Sequence, residues 1–224
     1  MGGTAAVNGV PIVGQPVAYG TGFIALVVFG LSQFVAQYFH TFAHEGGHML
    51  ASLFTMRRIF GFRLDDNTEG VTLRERRPYT FLDLVITFTG YAAPPLLGVA
   101  GAALIAHRNP WAVLFILALF SALALLVARN GLAFLIPALV IAGVVWVALE
   151  GSASLQAAVA VGAVWFLLIS GLVEAVRLPA SGGDAASLAS RTVLVPGFVW
   201  KLIWIVIAVV SLYAGGRLLL VPGA

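Results

Sequence analysis

The chain contains no cysteine and very little charge. Of its 224 residues only 9% are Asp, Glu, Lys or Arg, whereas 61% are hydrophobic, and the mean hydropathy is +1.03. A soluble domain carries about 25% charged residues, so this composition excludes an ordinary soluble protein and predicts a polytopic membrane protein. The absence of cysteine excludes disulfides, thiolate zinc sites and cysteine nucleophiles. Any metal must therefore be held by His, Asp or Glu.

Basic residues are also absent from the start of the chain. Residues 1–19 contain no Lys or Arg, so they lack the basic region of a cleaved signal peptide. Residues 1–16 are rich in glycine and small side chains and are expected to form a flexible tail. The remainder, residues 17–220, is expected to form a single polytopic membrane domain. The small net charge of +3 gives no indication of a nucleic-acid partner.

Six apolar stretches reach the length of a membrane-spanning helix, roughly 17–25 residues. They comprise residues 17–38 (continuing to residue 55), 80–106, 111–128, 132–149, 154–176 and 198–220. Two connections are longer than turns. Residues 57–79 predict a β-hairpin with strands at 59–64 and 71–76, and residues 178–197 predict a loop with one short helix. The expected fold class is an all-α membrane protein with about six transmembrane helices and a small cytoplasmic β-hairpin after the first span.

Basic residues near the span ends predict the orientation of the chain. If the N-terminus lies outside, only Arg108 and Arg217 lie on the outer side. The other ten basic residues then lie in the cytoplasm, where such residues are favoured; they are Arg57, Arg58, Arg63, Arg74, Arg76, Arg77, Arg129, Arg177, Arg191 and Lys201. The end of the first span and residues 178–197 are therefore expected on the same, cytoplasmic side of the cell membrane.

The sequence His44-Glu45-Gly46-Gly47-His48 lies inside the first apolar stretch. Residues four apart on a helix lie about 6 Å apart along the axis and about 40° apart in rotation, so both imidazoles face one point. Two such histidines suit two positions of a tetrahedral Zn²⁺ site, and a glutamate beside the first suits a general base acting on water. The motif therefore predicts a zinc site with hydrolytic chemistry.

A catalytic zinc site needs a third protein ligand. His40 continues the spacing, but it would lie about 12 Å from His48 along the axis, too far to share a metal with bonds of about 2 Å. His40 is instead expected beside the site or facing water. The orientation leaves Asp83, Glu174 and Asp184 as cytoplasmic candidates. Asp184 follows two glycines, which permit close backbone approach, but it suits the cap of a short helix equally well.

These residues resemble the site-2 protease family of membrane-embedded zinc metalloproteases, and in particular its compact bacterial branch. The similarity rests on residues 42–48, on residues 89–98 (Gly-Tyr followed by prolines and Leu-Leu-Gly) and on residues 183–189, with Thr192, Pro196 and Trp200 after them. It extends over about residues 24–204.

The resemblance implies that His44 and His48 are zinc ligands, that Glu45 is the catalytic base and that Asp184 is the third ligand. The chain departs from well-studied members of the family in two respects. It has no Asn-Pro-x-x-Asp-Gly segment, where their third ligand lies, and it has no PDZ-like insertion.

The sequence therefore predicts a zinc-dependent intramembrane endopeptidase. Its expected partners are the lipid bilayer and a transmembrane protein substrate, which it cleaves near the cytoplasmic face of the plasma membrane. The alternative is a metal-binding, non-proteolytic membrane regulator or chaperone on the same scaffold. The two hypotheses differ at Glu45, because a binding protein tolerates its loss and a hydrolase does not.

Overall fold

A computed structural model of the chain describes residues 6–7, 10–11, 14–31, 33–75, 81–192 and 194–221. These residues form eight helices and two small antiparallel sheets. The first elements are β1 (Ala6–Val7), β2 (Val10–Pro11), α1 (Gln15–Leu31) and α2 (Gln33–Phe54), followed by the hairpin strands β3 (Ile59–Leu64) and β4 (Gly70–Arg74). The remaining helices are α3 (Phe81–Ala106), α4 (Pro110–Val127), α5 (Gly131–Glu150), α6 (Ala153–Arg177), α7 (Gly183–Thr192) and α8 (Gly197–Leu220).

Among the described residues, five helices are long and apolar enough to cross a membrane: α3, α4, α5, α6 and α8. Within the first predicted span, the structure describes α1 with 17 residues and α2 with 22, and residue 32 lies outside the described residues. The expectation of a mainly helical membrane fold with about six spans and one small hairpin is therefore confirmed. Most of residues 1–16 lie outside the described residues, so the flexible tail stays a prediction.

Short polar connections separate the helices of the second half. Asn109, Asn130 and Ser152 each precede a helix and accept a hydrogen bond from a backbone N–H of its first turn. Asn and Ser are favoured there because their side-chain oxygens satisfy amide groups that have no partner within the helix. Connections of two or three residues therefore suffice between α3, α4, α5 and α6.

Helix α3 packs against α2, α6 and α8. Glycines allow the close approach of α6: a Cβ on Gly98 would lie 2.8 Å from Leu168, and a Cβ on Gly171 would lie 2.7 Å from Pro95. Small residues at helix interfaces commonly permit such close packing in membranes. This packing holds α3 in position beside α2, the helix that carries the histidine motif.

The hairpin forms where the sequence predicts it. β3 and β4 pair with Phe62 opposite Thr72 and Leu64 opposite Gly70. Phe62 and Leu64 are fully buried, so this face of the sheet packs on the helices while the other face remains open. β4 ends at Arg74, and residue 76, the predicted end of the second strand, lies outside the described residues.

Several contacts hold the hairpin firmly against the helices. The hydroxyls of Tyr38 and Thr41 on α2 donate to backbone carbonyls of the turn, at 2.9 and 2.7 Å. At the other end of β4, Arg74 forms a buried ion pair with Asp83 of α3, at 2.6 Å. β4 is therefore attached to both α2 and α3.

The outer edge of β3 is covered by the connection between α4 and α5. The backbone N–H of Arg129 donates to the carbonyl of Phe62 at 2.9 Å, and its side chain donates to the carbonyl of Phe60. The amide of Asn130 accepts from the N–H of Leu64 at 3.2 Å and donates to its carbonyl at 2.6 Å. These are the backbone groups that a further strand would need, so this edge is already occupied.

Candidate metal centre

Two histidines and one aspartate meet where α2 and α7 approach each other. The Nε2 atoms of His44 and His48 lie 3.2 Å apart. Asp184 Oδ2 lies 3.2 Å from each of them. Gly183 immediately before it has φ of +53°, a left-handed conformation that glycine adopts without strain. This glycine begins α7 and lets Asp184 enter the first turn facing α2.

The three atoms have the spacing of metal ligands. Zinc bonds of 2.0–2.1 Å in a tetrahedron separate the ligand atoms by about 3.3 Å, close to the 3.2 Å on every side of this triangle. Asp184 Oδ2 is buried and faces the Nε2 atoms of His44 and His48. Two imidazoles and a carboxylate are a donor set that suits zinc and leaves a fourth position open. The residues therefore fit the metal.

Hydrogen bonding sets the tautomer of His48. Its Nδ1 lies 2.7 Å from the backbone carbonyl of Ile86. A carbonyl oxygen only accepts hydrogen bonds, so Nδ1 carries the proton and the lone pair of Nε2 points into the triangle. Burial alone would raise the pKa of Asp184, but the adjacent imidazoles of His44 and His48 outweigh it and hold that pKa well below its usual range. The carboxylate is therefore ionised.

Glycines make the space that the imidazoles occupy. A Cβ on Gly90 of α3 would lie 2.6 Å from the Cε1 atoms of both His44 and His48. A Cβ on Gly47 would lie 2.5 Å from the carbonyl oxygen of Thr89. Sequence reasoning missed this role of Gly90. The sequence feature that could have indicated this role is the position of Gly90 next to Tyr91, within residues 89–98 of the family resemblance. The Tyr91 ring lies edge-on to His44, with ring centroids 4.5 Å apart.

Glu45 lies beside the triangle and is 5% exposed. Its ligand oxygen and the ligand nitrogens of His44 and His48 all fall within 4.8 Å of one another. Thr72 of β4 donates a hydrogen bond to Glu45 Oε2 at 2.6 Å. β4 approaches so closely that a Cβ on Gly70 would lie 2.7 Å from Glu45 Cγ. The sequence did not reveal the contact with Thr72.

The other residues considered as a third metal ligand lie outside the triangle of ligand atoms. Asp83 is paired with Arg74, and Glu174 is paired with Arg177 at 3.1 Å. His40 is buried next to His44, with ring centroids 6.3 Å apart. Of the three carboxylates that the orientation left open, the structure brings only Asp184 against the histidines.

A cleft of about 690 Å³ opens onto the triangle. One wall is formed by β4 with the turn that precedes it, and another by the end of α6 and by α7. Helix α2 with its three histidines also lines the cleft, together with Tyr91 of α3.

Comparison with known proteins agrees with this arrangement. No curated protein and no solved structure is significantly similar to the chain. A family model described as Peptidase M50B-like matches residues 18–215, a range that includes the hairpin, the histidine motif and Asp184. The chain therefore belongs to the Peptidase M50B-like family, as a site-2 protease-like multi-pass membrane protein.

Proposed function

We propose that this protein is a zinc-dependent intramembrane endopeptidase, with His44, His48 and Asp184 as zinc ligands and Glu45 as the catalytic base. The observation that carries the proposal is the triangle of ligand atoms, each 3.2 Å from the others, with a buried glutamate beside it. Metal binding alone requires no such glutamate, whereas hydrolysis requires a base within reach of the attacking water.

The residues divide the chemistry between them. Zinc held by the triangle would polarise the scissile carbonyl and lower the pKa of the attacking water. Glu45 accepts a proton from that water and delivers it to the amine of the departing product. The hydrogen bond from Thr72 fixes Oε2 of Glu45, which leaves Oε1 to exchange the proton.

The substrate is held in an extended form. A transmembrane helix hides its peptide bonds in internal hydrogen bonds, so the segment to be cleaved must unwind and find new partners. A free strand edge supplies such partners by β-augmentation. We expect this strand to lie in the cleft, whose lining includes β4 and α7.

The free edge belongs to β4. Phe62 and Leu64 direct their backbone groups away from β4, toward the α4–α5 connection. Antiparallel pairing then directs the backbone groups of their opposite residues, Thr72 and Gly70, to the outer edge of β4. Among the described residues no hydrogen bond occupies these groups. An added strand would therefore lie next to Glu45.

The test compares the wild type with Glu45→Gln, using purified protein, added zinc and a model transmembrane substrate. Both proteins should hold about one zinc per chain, because Glu45 is not a ligand. Cleavage should fall by about 10²–10⁴-fold in Glu45→Gln. Glu150→Gln, an exposed change at the end of α5, is the matched control and should cleave normally. Undiminished cleavage by Glu45→Gln would show that Glu45 is not the base, and a wild type that binds zinc but does not cleave would favour the non-proteolytic regulator or chaperone.

A further inference from the structure

Helix α7 presents two different faces. Ala185 and Leu188 are fully buried and belong to an apolar cluster between α3, α6 and α8. Asp184, Ser187 and Arg191, at positions i, i+3 and i+7, lie on another face and line the cleft. Arg191 therefore lies on the same wall as the candidate zinc ligand, two turns further along the helix.

Among the described residues, no acidic side chain pairs with Arg191. Three arginines line the cleft. Arg74 pairs with Asp83, and Arg177 pairs with Glu174. All nine Asp and Glu residues of the chain lie in the part that the structure describes, and none of them forms an ion pair with Arg191. A basic residue in a last helical turn also interacts favourably with the helix dipole, but an arginine outside the cleft would serve that purpose equally.

We propose that Arg191 binds an acidic side chain of the substrate and so determines which segments are cleaved. This inference rests on the proposed function. A guanidinium group binds a carboxylate through two parallel hydrogen bonds, which fits a part-buried arginine facing a peptide cleft. The substrate class is therefore a transmembrane segment that carries Asp or Glu near the scissile bond.

The geometry also gives the approximate position of that acid. Arg191 follows Asp184 by seven positions along α7, a rise of about 10.5 Å. An extended chain advances about 3.3 Å per residue, so the acidic residue lies about three residues from the scissile bond. Cytoplasmic flanks of transmembrane helices usually carry Lys and Arg. A requirement for an acid at this point would thus reject most membrane proteins.

The test uses transmembrane substrate peptides that differ only in one residue, Asp, Asn or Lys, placed in turn at each position up to four from the scissile bond. With the wild type, Asp should exceed Asn in kcat/KM on the order of fivefold at about the third position, the effect of one moderately exposed ion pair. The preference should weaken at high salt. Arg191→Glu should reverse it in favour of Lys, and Arg191→Gln should remove it. Arg63→Glu, an exposed change on β3 outside the cleft, should keep the preference for Asp.

A second measurement separates this inference from the proposed function. The same peptides are titrated against zinc-loaded Glu45→Gln protein, with binding as the readout, and zinc content reports whether each variant is folded. A binding preference for Asp that reverses in Arg191→Glu supports the role of Arg191, even if the wild type cleaves none of the peptides. Absence of cleavage by the wild type would count only against the proposed protease activity. An unchanged charge preference in Arg191→Glu, or no preference in the wild type, overturns it.

Discussion

At the scale of single residues, Asp184 differs from the other carboxylates in what it faces. Its Oδ2 atom lies 3.2 Å from both histidine nitrogens, whereas Glu174 is paired with the half-exposed Arg177. Sequence spacing alone suited Asp184 equally to a helix cap and to a ligand. The two roles have different consequences when the carboxylate is removed.

We expect Asp184→Ala to weaken zinc binding by more than about 100-fold, beyond the 10–100-fold effect of losing an outer partner of a ligand. Competition with a calibrated chelator measures this affinity. Glu174→Ala is the matched control and should bind zinc normally. If Asp184→Ala instead keeps its zinc and loses only about 1 kcal/mol of stability, the residue is a cap.

Thr72 acts through Glu45 and is a positioning residue. Thr72→Val removes the hydroxyl that donates to Glu45 Oε2 but keeps the size of the side chain. A hydrogen bond to a charged group contributes about 1.5–3 kcal/mol, so kcat should fall about 10–100-fold while KM and zinc content change little. Thr72→Ser should restore most of kcat. Equal losses in both variants would show that the methyl group, and not the hydroxyl, matters.

At the scale of elements, the hairpin has one occupied and one open edge. Arg129 and Asn130 hold the outer edge of β3, so a substrate strand has β4 as its partner. Backbone groups on a strand edge alternate in direction. Pairing with β4 therefore requires hydrogen bonds from every second residue of the substrate backbone.

We expect substrate peptides with a single N-methylated amide to show a period of two. Methylation at alternate positions removes a hydrogen bond to β4 and should raise KM, whereas methylation at the positions between them should have little effect. Initial rates over a range of peptide concentrations give KM for each position. A uniform response along the peptide would mean that the substrate does not bind as a strand.

At the scale of the whole molecule, the contacts define two ends of the helical bundle. The hairpin and α7 line the cleft at one end, and the α4–α5 connection contacts the hairpin there. At the other end, the side chain of Gln15 donates to the carbonyl of Leu220 at 3.0 Å. Together with the distribution of basic residues, this arrangement predicts that the cleft opens to the cytoplasm.

The lack of native cysteine makes that orientation easy to test. Single cysteines are introduced at Asn67, in the exposed hairpin turn, and at His107, in the exposed connection after α3. A membrane-impermeant maleimide applied to intact cells should label His107→Cys, and it should label Asn67→Cys only after the membrane is made permeable. The opposite pattern would reverse the orientation.

The sequence by itself determined the features that depend on neighbouring residues. The lengths of apolar runs predicted the spans, and turn residues between alternating stretches predicted the hairpin. Helical spacing put His44 and His48 on one face of α2.

Only the tertiary structure decided which groups from other elements meet those histidines. Asp83, Glu174 and Asp184 were all compatible with the sequence, yet the packing of α7 brings Asp184 to the imidazoles while arginines pair with the other two. The contact of Thr72 with Glu45 and the space left by Gly90 arise in the same way. Residues far apart in the chain meet at distances set by the packing of every helix between them, and no local pattern of residues encodes such a distance.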